Sequence, residues 1–128
     1  MNNPQRSRSL REAFQYAFAG IRYVLRTQRN AKIHLMVMTC VVLMGICLDL
    51  QPMEWALLVV AMAAVWLTEF INTAIESVVD LASPDIDPLA RVAKDVGAGS
   101  VQLAALFSII IGLLILGPPL WHKLITIF

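Results

Sequence analysis

Four polar side chains, Glu69, Asn72, Glu76 and Asp80, follow directly on an apolar run with no turn residue between. A helix formed by that run continues through them. At about 100° per residue, Glu69, Glu76 and Asp80 fall within roughly 20° of one line and Asn72 about 60° aside, so they project from one face. An acid at the centre of a membrane span costs about 2.5 to 3.5 kcal/mol on insertion scales, and less near the interface. A line of acids entering a membrane therefore calls for a partner. Glu69 and Glu76 are roughly 10 Å apart along the axis at 1.5 Å per residue, too far for one ion to bind both readily. The spacing suits two tasks: a proton acceptor at the depth of a lipid headgroup, and a ligand for a hard cation where a water-soluble nucleotide could enter. Mg²⁺ takes one or two carboxylates together with phosphate oxygens.

After a turn through Ser83, Pro84, Asp85, Ile86, Asp87 and Pro88 come Arg91, Lys94 and Asp95, ahead of Gly97, Ala98 and Gly99. Lys94 could bring positive charge to a transferring phosphate; its bland alternative is a helix-end cation snorkelling to headgroups. The chain has no Gly-rich phosphate loop of the P-loop or protein-kinase type and no Cys/His metal pattern. His34 and His122 sit at the edges of apolar runs and read as interfacial residues.

Those side chains need a membrane scaffold to hold them. Of 128 residues, 59% are hydrophobic and 15% charged, more apolar and less charged than a water-soluble domain. Apolar runs over about residues 33–48, 53–75 and 101–121 predict three spans in a single membrane-embedded domain covering 1–128. Leu50, Gln51 and Pro52 make a tight connection that forces the first two spans antiparallel. Gly117, Pro118 and Pro119 mark the far end of the third. Ser100, Ala104, Ser108 and Gly112 form a stripe of small residues that favours close approach of another helix, in a bundle or oligomer. Cys40 and Cys47, seven apart in an apolar run, are too distant to bond to each other.

Arg6, Arg8, Arg11, Arg22, Arg26, Arg29 and Lys32 precede the first span, and Arg91 and Lys94 lie between the second and third. The positive-inside rule then puts the N-terminus in the cytoplasm and the C-terminus outside. The same basic residues leave no legible signal peptide. Residues 8–29 predict an amphipathic surface helix, with Leu10, Phe14, Phe18, Ile21 and Leu25 on one face and Arg11, Arg22, Arg26 and Arg29 on the other. The formal charge of +1 gives no reason to expect a nucleic-acid partner.

The run Glu69-Phe-Ile-Asn72-Thr-Ala-Ile-Glu76-Ser-Val-Val-Asp80 resembles the signature of the prokaryotic diacylglycerol kinase family, which also contains undecaprenol kinases. Ala93-Lys94-Asp95, Ala19-Gly20-Ile21-Arg22 and Arg29-Asn30-Ala31-Lys32-Ile33-His34 extend the resemblance over nearly the whole chain. It implies an all-α integral protein of the bacterial inner membrane, a homotrimer of three-span subunits with sites between neighbours, using ATP and Mg²⁺. By position, Glu69 would be the general base, supported by Asn72, and Glu76 a metal ligand. Lys94 and Asp95 would contact the nucleotide, as would Tyr16 and the Asp85, Ile86 and Asp87 turn. Where the family usually has a second metal-ligating glutamate, this chain has Gln28, an amide that offers an oxygen without a charge. Either Gln28 binds the ion more weakly, or acids such as Glu12 or Asp80 compensate. The Arg29–His34 stretch looks more like the undecaprenol branch, with diacylglycerol the alternative substrate.

Two other classes compete. An ion- or proton-translocating bundle also uses intramembrane carboxylates, but it predicts acids in more than one span, and the first and third runs carry none. A non-catalytic assembly subunit would use the small-residue stripe and leaves Glu69, Asn72 and Glu76 without a task.

Overall fold

The computed structural model describes residues 9–83 and 87–127, arranged as four helices: α1 (Leu10–Thr27), α2 (Arg29–Cys47), α3 (Pro52–Ala82) and α4 (Pro88–Ile127). The last three are long and apolar enough to cross a membrane. At 1.5 Å per residue the 19 residues of α2 match a hydrocarbon core of about 30 Å, whereas the 31 of α3 and 40 of α4 overshoot it by roughly 15 and 30 Å.

Helix α1 begins at a reciprocal cap: the Ser9 N–H donates to Glu12 Oε2 at 2.9 Å and the Glu12 N–H to Ser9 Oγ at 3.3 Å. Val24 is its one buried residue, while Leu10, Phe14 and Phe18 stay exposed. A single extended residue, Gln28 (φ −90°, ψ 119°), separates α1 from α2. The surface helix ends two residues before the expected position 29, so Arg29 opens the spanning helix instead of closing the surface one.

Asp49 adopts a left-handed φ of 53° in the turn after α2, a conformation that short polar side chains tolerate. The Gln51 N–H then donates to Glu54 Oε2 at 2.7 Å, with Pro52 at the first helical position of α3. Trp55 folds back so closely on Gly45 that a Cβ there would lie 2.7 Å from its ring. Leu50, Leu58 and Leu116 form the core at this end, with Val41, Trp55 and Met62 against them.

Helices α3 and α4 make the main packing surface and run antiparallel. Asp80 meets Lys94, Asn72 meets Gly97, and the Ser108 hydroxyl donates to Ala61 O at 2.9 Å. The small-residue stripe is thus spent, in part, inside the chain. A cavity of about 490 Å³ runs between α2, α3 and α4, lined by His34, Val37, Val41, Leu58, Ile109 and Leu113 among others. His34 thus faces the space between helices.

Both ends of α4 also differ from those read off the sequence. Helix α4 begins at Pro88, and Gly97 and Gly99 lie within it. It also continues through Pro118 and Pro119, although each proline removes a helical N–H. The segment beyond is tethered: Lys123 Nζ donates to Cys47 O at 2.7 Å, fastening it to the end of α2. That tertiary hydrogen bond also satisfies one of the carbonyls that a helix C-terminus leaves open.

Candidate active site

The polar face of α3 is graded by depth. Glu69 is 2% exposed and Asn72 7%, Glu76 is half-buried, and Asp80 is exposed. The backbone along this stretch is reinforced from its own side chains: Thr73 Oγ1 donates to Glu69 O at 2.9 Å and Ser77 Oγ to Thr73 O at 2.8 Å. These bonds leave the carboxylates free to face the neighbouring helices.

Asn72 Nδ2 donates to Glu76 Oε1 at 3.1 Å. The amide thus serves the outer carboxylate, whereas the sequence resemblance had it support Glu69. Two buried atoms have no hydrogen-bond partner among the described residues, Glu69 Oε2 and Asn72 Oδ1. A buried acceptor left unpaired costs about 1 to 3 kcal/mol, so each marks a place where the fold tolerates cost. Asn72 Oδ1 lies against Gly97 of α4. No donor among the described residues reaches Glu69 Oε2.

Lys94 reaches from α4 to α3, its Nζ 2.7 Å from Asp80 Oδ1. Spacing along the chain gives no sign of this pair, because its members are fourteen residues apart on different helices. Asp95 points elsewhere, 3.9 Å from Arg91 in an exposed i,i+4 pair. Asp87 is the N-cap of α4: its Oδ1 accepts from the N–H groups of Leu89 at 2.8 Å and Ala90 at 2.9 Å. Asp85 and Ile86 lie outside the described residues. Tyr16 is exposed on α1. Gln28 is half-buried at the α1–α2 joint, where its side chain does not cap α2. The structure therefore gathers Glu69, Asn72, Glu76, Asp80 and Lys94 along one α3–α4 seam.

The donor set on that seam limits how it could hold a cation. Among the described residues no three His, Cys, Asp or Glu side chains gather around a point, which excludes an all-protein cation cage there. A half-buried carboxylate oriented by an amide, with a lysine about one turn away, fits a cation whose remaining ligands are phosphate oxygens and water. Glu76, half-buried and hydrogen-bonded to Asn72, is the carboxylate that could take that part.

The chain matches the family described as prokaryotic diacylglycerol kinase over residues 15–116. It is 41% identical over 109 residues to a diacylglycerol kinase of Synechocystis sp., a match covering 84% of this chain and 62% of that protein. It is 38% identical over 109 residues to an undecaprenol kinase of Bacillus subtilis, covering 85% and 89% respectively. The chain thus spans less than two thirds of the first relative's length and most of the second's.

Proposed function

The chain belongs to the prokaryotic diacylglycerol kinase family, and from that premise we propose that it transfers the γ-phosphoryl group of ATP to the hydroxyl of a membrane lipid at the cytoplasmic face of a bacterial inner membrane. The observation that carries this reading is the buried, unpaired Oε2 of Glu69, an acceptor at the deep end of a polar line that opens outward through Glu76 to Asp80. The lipid O–H proton passes to Glu69 as the oxygen attacks the γ-phosphorus. The bond from that phosphorus to the β-bridging oxygen breaks, and ADP leaves. Lys94 neutralises charge developing on the phosphates. Mg²⁺, held by Glu76, supplies charge compensation when bound.

Substrate choice favours undecaprenol. Two observations support it: the Arg29–His34 stretch, and the match over 89% of the Bacillus subtilis protein. The N-terminal basic residues favour a cytoplasmic N-terminus and an outer C-terminus. The exposed apolar face of α1 suits a helix lying in the headgroup layer, and a homotrimer is the assembly that goes with this reading. Translocation fits poorly, because toward Pro52 the α3 line ends at Glu69 and only Glu54 follows. The test is labelled ATP with Mg²⁺ and either undecaprenol or diacylglycerol, using purified protein in detergent. The expected product is phosphorylated undecaprenol; no product with either lipid overturns the reading, and a preference for diacylglycerol overturns the substrate choice.

A further inference from the structure

Gly97 is buried on α4, and a Cβ built on it would collide with Asn72 Oδ1 and come 3.4 Å from Asn72 Cγ. The contrast with its neighbour is sharp: a Cβ on Gly99, in the same helix, meets nothing within 4 Å. The Asn72 oxygen is buried and without a hydrogen-bond partner, while the nitrogen of the same amide donates to Glu76 Oε1. Turning the amide over would set its oxygen against the Glu76 carboxylate, acceptor against acceptor, and aim its NH₂ at a carbon. The seat at Gly97 therefore fixes which way the amide points. With two Cα hydrogens, Gly97 turns one of them toward the oxygen, a weak C–H···O contact where any other residue would place a methylene.

We infer that Gly97 is a positioning residue: it is the notch in α4 that seats the Asn72 carboxamide so that its NH₂ holds the Glu76 carboxylate. The notch acts through Asn72 and touches neither substrate nor cation. This inference rests on the kinase reading only for what Glu76 does; the seat itself is a matter of α3–α4 packing.

The experiment uses five full-length proteins in detergent: the unaltered chain, Gly97→Ala, Asn72→Ala, the double variant and Gly99→Ala as control. Two quantities are measured on each, the melting temperature and the Kd of a non-hydrolysable ATP analogue with Mg²⁺. Gly97→Ala should lower the melting temperature when Asn72 is present and leave it unchanged in the Asn72→Ala background, the coupling expected of residues in contact. It should weaken the magnesium nucleotide about 10- to 100-fold, the usual cost of losing the group that orients a metal ligand, with no further loss in the Asn72→Ala background. Gly99→Ala should change neither quantity. Equal effects of Gly97→Ala in both backgrounds overturn the seat. A lowered melting temperature with an unchanged Kd overturns the positioning role and leaves only packing. If Gly97→Ala does not fold, the double variant should, since the clashing atoms are gone, and its failure overturns the seat as well. If the unaltered chain binds no nucleotide, the kinase reading falls and the melting-temperature coupling alone decides the seat.

Discussion

Lys94 and Asp80 stand on antiparallel helices with 2.7 Å between Nζ and Oδ1, and both side chains reach water. Exposed ion pairs contribute little to stability, so this one is better understood by what it aims. It holds an ammonium group one turn beyond Glu76, at the open end of the polar line. Asp80→Asn should leave the melting temperature nearly unchanged while raising the KM for MgATP. Lys94→Ala should lower kcat by about 10² to 10³, the usual cost of removing one electrostatic contact to a developing charge. Steady-state kinetics with a thermal melt on both variants check this; a large loss of stability with unchanged kinetics would assign the pair to folding alone.

The two glutamates of α3 should fail differently. Glu69→Gln removes the proton acceptor and should depress kcat by about 10² to 10⁴ while the magnesium nucleotide still binds. Glu76→Gln removes the charge that holds the cation and should raise the Kd for the magnesium nucleotide as well as slow turnover. Direct binding of a non-hydrolysable analogue separates the cases, because KM mixes binding with chemistry. Lost binding in Glu69→Gln with intact binding in Glu76→Gln would reverse the two roles.

Gln28 tests how many charges the cation meets. If this amide faces the ion, Gln28→Glu should lower the Mg²⁺ concentration giving half-maximal rate, since a carboxylate replaces a neutral oxygen. A Mg²⁺ titration on folded protein is the measurement, and an unchanged midpoint places Gln28 outside the cation's coordination.

At the opposite end of the molecule, Gly45→Ala should destabilise by about 1 to 3 kcal/mol, the usual cost of an extra methylene in a filled site. The added Cβ would lie 2.7 Å from the Trp55 ring and 3.1 Å from Leu50 Cδ1. Gly112→Ala, where a Cβ meets nothing within 4 Å, is the control. Thermal melts in detergent should separate the two, and equal melting temperatures would show that Trp55 swings away freely.

The face shared by Glu69, Glu76 and Asp80 is legible from the amino-acid order because helical period is a local property, and so are the three apolar runs. The Asp80–Lys94 pair and the Gly97 notch are not, since both depend on the antiparallel register of α3 against α4, which no local pattern encodes. The ends of α4 mislead for the opposite reason. Glycine and proline are strong local punctuation, yet α4 runs unbroken past Gly97, Gly99, Pro118 and Pro119, and Lys123 beyond them is held to Cys47 O. Asp87 adds a local role to the nucleotide contact expected of it: its Oδ1 caps α4.

The fall in burial from Glu69 to Asp80 covers about 16 Å of one straight helix. A reaction between a hydrocarbon-soluble alcohol and a multiply charged nucleotide faces a solubility mismatch, because neither reactant is at home in the other's phase. A graded face removes the need for either to cross over. On the proposed reading the proton would move where the dielectric is low and electrostatic forces are strong, while the phosphates and their counterion would come and go where water screens them. A helix graded in this way would do here what a soluble enzyme achieves by closing a lid.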